Sequence, residues 1–136
     1  MADPVREPTH PRAVELYELA LAAREHSYSP YSRFAVGAAV LTTNGTVVCG
    51  ANVDNASYPL TVCAETNAAT TAIAQGARRL EAVAVAGPAD TVSPCGACRQ
   101  VLAEFGSDEM VVLFPRGGRL VETTLGELFP VRFRLR

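Results

Sequence analysis

Apolar residues recur along this chain with two periods. Pro4, Pro8 and Pro11 interrupt the first residues, and residues 1–12 read as a frayed or disordered leader. A helical period sets in near Arg12, where Val14, Tyr17 and Leu21 fall at i, i+3 and i+7. Leu16, Leu19, Ala20 and Ala23 widen that stripe, and Glu15, Glu18 and Glu25 lie on its wet side. The segment 27–32 ends it, with Pro30 as the stop. Two apolar runs, 34–41 and 46–50, then flank Asn44-Gly45, which predicts a hairpin. Residues 51–62 are irregular and contain Pro59. A second helix is predicted over 62–75, stopped by Gly76. Residues 80–86 read as a short buried strand and 87–93 as a loop. Ser93-Pro94 supplies an N-cap and a first helical turn for a helix reaching Phe105, ended by Gly106. Residues 110–114 form another buried strand, Gly117-Gly118 a turn, 119–122 an edge strand and 124–128 a helical turn before Pro130.

The resulting order is α-β-β-α-β-α-β-β-(α). Helices alternating with buried apolar strands imply an α/β fold whose sheet is covered on both faces. A length of 136 residues fits one domain, over 13–136, without internal repeats.

Composition narrows the function classes. Twelve basic residues stand against 14 acidic ones, a net charge of −2, so no surplus of positive charge is available for a nucleic-acid backbone. No apolar run approaches the ~18 residues of a membrane span. The first residues have no apolar core of a signal peptide, which points to the cytoplasm. Every basic residue is Arg, alanine occurs 22 times, and there is no Trp. A core of small side chains lets elements approach closely but buries little area per residue, at about 25 cal/mol per Å². That hints at burial completed by oligomerisation, although nucleotide composition of the source explains the same bias more simply.

Cysteine placement carries the chemistry. Cys63-Ala64-Glu65 is followed after 28 residues by Pro94-Cys95-Gly96-Ala97-Cys98. A lone CxxC fits redox, structural zinc or chance. A third Cys with an acid two residues on, opening the other long helix, favours metal. Helix N-termini present unpaired N–H groups and positive partial charge, which stabilise the thiolate form that binds metal. Three thiolates leave one tetrahedral position of zinc open for water. Glu65, in the same turn as Cys63, is poorly placed as a ligand but well placed to shuttle that water's protons. Zinc with three thiolates sums to −1, a poor Lewis acid, so two helix dipoles at one spot are required to offset the excess. Cys49 as a fourth ligand would close the site; late in a strand, it reads instead as a small buried side chain.

These motifs resemble the homotetrameric, zinc-dependent cytidine deaminases. The matching stretches are residues 31–39 (YSRFAVGAA), 50–58 (GANVDNASY), Cys63-Ala64-Glu65, 93–101 (SPCGACRQV) and 128–133 (LFPVRF), so that the likeness spans about residues 13–133 in order. The resemblance implies a three-layer α-β-α sandwich around a five-stranded mixed sheet and one Zn2+ per subunit on Cys63, Cys95 and Cys98. Glu65 is then the catalytic acid/base. The reaction is hydrolysis of cytidine and 2′-deoxycytidine to uridine and 2′-deoxyuridine with release of ammonia, in pyrimidine salvage. It further implies that Phe34 packs on the pyrimidine, that the Ala64 backbone holds the base edge, and that Asn52 and Asp54 bind the sugar. Ala56 and Tyr58 would reach a neighbouring subunit's site, and Phe133 would close over the base from another subunit of a homotetramer. Without the resemblance, Phe34 and Phe133 read as core.

Two positions depart from the family pattern. Asp54 stands where the family normally has Glu, so its sugar contact must lengthen, use water or be lost. Thr66 stands where the family often has Arg, which leaves the thiolates' charge to the helix dipoles and to Arg99 or Arg33. Asp54 also keeps open a deaminase of another 4-aminopyrimidine nucleoside, such as blasticidin S. A nucleic-acid editing deaminase would need a larger basic patch than Arg132, Arg134 and Arg136, and a non-catalytic zinc module would bind metal without releasing ammonia. With Thr66 in place the activated water is less acidic than in relatives carrying Arg. Thr66→Arg is therefore expected to lower the acidic limb of the kcat–pH profile, and an unchanged or raised limb contradicts this.

Overall fold

The computed structural model describes residues 3–135. Among them, five strands form one sheet in the order β2-β1-β3-β4-β5. They are β1 Gly37–Thr42, β2 Val47–Ala51, β3 Leu80–Ala86, β4 Val111–Arg116 and β5 Arg119–Thr124. β3 and β4 run parallel and the other neighbours antiparallel, so the sheet is mixed. The helices are α1 Ala13–Ala23, α2 Ala64–Ala74, α3 Gly96–Phe105 and the short α4 Leu125–Leu128. Asn44-Gly45 makes the β1–β2 turn as expected, with Gly45 at φ +91°.

Strand alternation sorts the side chains into three layers. Ala39, Leu41, Ala82, Ala84 and Leu113 face α1, while Ala38, Val40, Val83, Val85 and Val112 face the side of α2 and Leu102 of α3. β1 is buried along its whole length, as a central strand covered on both faces must be. No described helix is long and apolar enough to cross a membrane.

Four local expectations need correction. The buried face of α1 is Ala13, Leu16, Ala20 and Ala23, whereas Val14 is 65% exposed and Leu21 is also exposed. The reason is distance: a Cβ on Gly37 would stand 2.0 Å from the Ala20 carbonyl oxygen, so α1 rests on β1 through its small residues. Second, α3 starts two residues later than Ser93-Pro94 predicts. Its N-cap is Cys95, whose sulfur accepts the Cys98 N–H at 3.4 Å. Third, Cys49 is exposed rather than buried, because β2 is an outer strand and the α1 layer covers Val47 but leaves Cys49 open.

Fourth, the described part of the expected frayed leader is docked; Met1 and Ala2, like Arg136, lie outside the described residues. Arg6 and Glu122 exchange backbone hydrogen bonds of 2.9 and 2.8 Å along β5. The Glu122 carboxylate, 2% exposed, accepts the N–H groups of Thr9 and His10 and the Thr9 hydroxyl at 2.8–2.9 Å. Burial alone would raise its pKa, but these donors hold it below the usual carboxylate value. Its stabilisation is thus full above the unfolded-state pKa and lost as pH falls through the lowered folded one. Glu122→Ala is expected to cost about 2 kcal/mol in urea unfolding at pH 7, with a smaller deficit in acid and faster proteolysis within residues 3–12. Wild-type protease resistance of that segment in the variant would contradict the docking.

Candidate metal and nucleoside site

α2 and α3 start at the same place. Cys63 is the N-cap of α2 and Cys95 that of α3, and their sulfurs lie 3.8 Å apart. The Cys95 and Cys98 sulfurs are 3.4 Å apart, and all three ligand atoms fall within 4.8 Å of one another. These separations exceed a disulfide's S–S length of ~2.05 Å. They agree with the ~3.8 Å between ligands in a tetrahedral zinc site with bonds near 2.3 Å. Among the described residues this is the one such cluster of His, Cys, Asp or Glu, and Cys49 is outside it. The donor set therefore fits zinc and leaves a fourth position open.

Protons in this cluster are unevenly held. Hydrogen bonding from Cys98 draws the Cys63 thiol down to about 6, and the same contact, with burial, pushes the Cys98 thiol up. Glu65, 4% exposed, is raised to about 7 by burial, with the charge of Cys63 adding to the rise. A bound divalent cation would lower all of these, since a coordinated thiol is deprotonated.

The sulfurs open on a cleft of about 440 Å³. Phe34, Asn52, Asp54, Tyr58, Cys63, Ala64, Glu65 and Cys95 line it. Ala56 and Phe133 do not line the cleft of their own chain; both are exposed, and the Phe133 carbonyl accepts Gln100 Nε2 at 3.3 Å. Phe34 is 39% exposed to the cleft rather than packed as core.

Asn52 and Asp54 are buried and already engaged. Asn52 Nδ2 donates to the Phe34 carbonyl at 2.8 Å, and its Oδ1 accepts the Val36 N–H at 2.9 Å and the Ser27 hydroxyl. Asp54 accepts the N–H groups of Tyr31 and Ser32 at 3.2 and 2.8 Å and the Ser32 hydroxyl at 3.2 Å. The Ser32 contacts and the Tyr31 N–H lower its pKa against the effect of burial. Each side chain retains one hydrogen-bonding position, an amide hydrogen on Asn52 and a lone pair on Asp54.

Sequence reasoning overlooked Ser27 and Ser32, whose partners lie more than 20 residues away. It also overlooked the Thr66 hydroxyl, 3.6 Å from the Cys98 sulfur. Arg99 makes no hydrogen bond to the sulfurs: it donates to the carbonyls of Pro94 and Leu128 at 2.9 Å.

Residues 11–114 match the zinc-binding region of cytidine and deoxycytidylate deaminases. The chain is 50% identical over 122 residues to a cytidine deaminase of Halalkalibacterium halodurans, covering 87% of this chain and 91% of the relative. A crystal structure of cytidine deaminase from Burkholderia pseudomallei superposes with a TM-score of 0.84 at 45% identity, covering 93% of this chain and all of that one. A blasticidin-S deaminase of Bacillus cereus is more distant, at 34% identity over 72% of this chain and 76% of its own.

The raised Glu65 carboxyl predicts a pH effect in the metal-stripped chain. A folded pKa of about 7 against an ordinary 4.5 means that stability is present at low pH and lost as pH rises between these values. Glu65→Gln removes that loss. Its stability relative to wild type should increase between pH 4 and pH 8 by on the order of 3 kcal/mol in urea unfolding. A pH-independent difference would show that the carboxyl ionises freely.

Proposed function

The chain belongs to the zinc-binding cytidine and deoxycytidylate deaminase family, and from that membership and the cleft we infer that it hydrolyses cytidine to uridine and ammonia. The observation that carries this reading is the meeting of three sulfurs with one buried carboxyl on the wall of a nucleoside-sized cleft. The resemblance extends it to 2′-deoxycytidine.

Cys63, Cys95 and Cys98 would hold the zinc, which when bound polarises a water and makes it a nucleophile near neutral pH. Glu65 handles the protons. It takes one from the water and gives it to N3 of the ring as the oxygen adds to C4. It then takes the second and delivers it to the departing amine. Water's two hydrogens thus end on N3 and on ammonia, and the carboxylate is regenerated. Burial favours this role, because it opposes ionisation of the carboxyl and so raises its affinity for a proton.

The remaining roles combine the cleft's lining with the resemblance. Phe34 would stack on the pyrimidine and the Ala64 backbone would hold the base edge. The spare positions on Asn52 and Asp54 would serve the ribose. Ala56 and Phe133 are assigned to a homotetramer in which subunits complete one another's sites, whereas Tyr58, expected to reach a neighbouring subunit, lines the cleft of its own chain. Exposed apolar side chains, among them Leu60, Val131 and Phe133, support an assembly of this kind. A site of free thiols suits the reducing cytoplasm.

Cytidine, deoxycytidine, cytosine, 5-methylcytidine and blasticidin S are the discriminating panel, read by ammonia release. Release from the two nucleosides is expected; release from blasticidin S alone would transfer the chain to that reaction, and none at all would leave a zinc-binding module. Glu65→Gln should keep its zinc and lose about 10³-fold in kcat. Near-normal turnover of that variant would remove Glu65 from the mechanism. A monomer in sedimentation would remove the shared sites.

A further inference from the structure

The three sulfurs differ in what neutralises them. With a divalent cation the cluster carries a net −1, and each thiolate with excess charge needs a hydrogen-bond donor or water. Cys63 is partly exposed and reaches water. Cys95 accepts the Cys98 N–H at 3.4 Å. Cys98 is fully buried, so water is excluded from it. Apart from the neighbouring cysteines and the Glu65 carboxyl, which offers no donor once ionised, the group within hydrogen-bond distance of its sulfur is the Thr66 hydroxyl at 3.6 Å. The nearest arginine along the chain, Arg99, is committed to two backbone carbonyls.

Thr66 and Thr70, one turn apart on α2, spend their hydroxyls differently. A helical threonine ordinarily turns its hydroxyl back to the carbonyl one turn earlier. Thr70, one turn on, does this to the Thr66 carbonyl at 2.7 Å. The Thr66 hydroxyl points across to α3 instead and has Cys98 as its one recorded partner among the described residues. Thr66 lies in the first turn of α2, where the residue four positions back, Val62, precedes the N-cap and spends its carbonyl on the Val53 N–H, so the hydroxyl is free to reach the buried sulfur on the other helix.

We propose that Thr66 is a positioning residue for the metal, donating its hydroxyl hydrogen to the buried Cys98 thiolate and so fixing that ligand and drawing off part of its charge. This rests on the reading of the cluster as a zinc site. In metal centres, partners of this kind are worth about 10–100-fold in metal affinity. No counter-charge is introduced: the hydroxyl disperses the thiolate's charge without altering the formal sum of the site.

The test is zinc affinity of the full chain, by competition with a chromophoric chelator. Wild type is expected to bind one zinc. Thr66→Val, which keeps the shape and removes the hydroxyl, should bind zinc about 10–100-fold more weakly, and Thr66→Ser should recover most of the loss. Thr70→Val serves as the control for a threonine hydroxyl spent on helix backbone and should bind as wild type does. In the cobalt-loaded proteins, loss of a hydrogen bond to a thiolate should move the sulfur-to-metal charge-transfer band of Thr66→Val to longer wavelength and leave that of Thr70→Val in place. Affinity of Thr66→Val within about twofold of wild type, or an equal loss in Thr70→Val, overturns the proposal. Failure of wild type itself to bind zinc would overturn the zinc reading first, so the two failures are distinct.

Discussion

The seat of α2 on the sheet sets the position of nearly everything chemical in this molecule. A Cβ at Gly50 would stand 2.5 Å from the Ala68 nitrogen and 2.8 Å from the Ala64 carbonyl oxygen, so helix backbone rests directly on strand backbone there. Only glycine permits that approach, and the alanine face of α2 (Ala64, Ala68, Ala69 and Ala72) completes it. The alanine-rich composition thereby acquires a structural use. A closely seated helix has little freedom to slide, and its first turn carries Cys63, Ala64 and Glu65. α3, fixed on the same side by the β3–β4 crossover, brings Cys95 and Cys98 to meet it. Two helix N-termini then face one group of sulfurs, and their positive ends offset negative charge that the metal alone leaves over.

The opposite wall of the cleft is held by buried polar groups rather than by apolar packing. Asn52 follows β2 immediately and ties Ser27, Phe34 and Val36 into one unit, while Asp54 gathers Tyr31 and Ser32. The backbone bonds Tyr28 N–H to Asn52 O and Asp54 N–H to Tyr28 O run alongside at 3.0 and 2.7 Å. The segment 27–36 joins its neighbour by a single bridge, Tyr28 with Val53, and the bonds to Asn52 and Asp54 anchor the rest of it, as an irregular segment needs if it is to present a ring such as Phe34 in one orientation. Most of the acceptor capacity of Asp54 serves the segment that carries Phe34.

What the sequence made legible was local or carried by a rigid spacing. Asn44-Gly45 dictated its hairpin, the apolar run Leu80–Ala86 its strand, and the three-cysteine frame its cluster. What it concealed depended on distance and on layers. Val14 and Leu21 look like a core stripe by size, but the close approach at Gly37 admits only the small face of α1. The Pro-rich leader looks unpaired, since proline offers no donor. Its remaining donors at Thr9 and His10 are satisfied by Glu122, more than 110 residues away, which no local pattern announces. Cys49 and Cys98 are the same residue type, and only the sheet order exposes the first while the helix junction buries the second.

The metal site and the fold are coupled through the protons that the cluster must hold. Without a cation, three thiols and a carboxyl crowd one junction, and the geometry eases the conflict by concentrating charge on Cys63, while Cys98 stays protonated and burial holds back the ionisation of Glu65. A divalent cation replaces those shared protons and removes the like-charge conflict at the point where α2 and α3 meet. Binding therefore strengthens the same helix junction that positions the ligands, and it becomes tighter as pH rises because thiol protons no longer compete. The Glu65 carboxyl takes part in this exchange although it stands outside the cluster of sulfurs. It is buried because α2 is seated so closely, its proton affinity is high because it is buried, and a carboxyl with that affinity beside an activated water is suited to carry protons between water, ring and leaving amine.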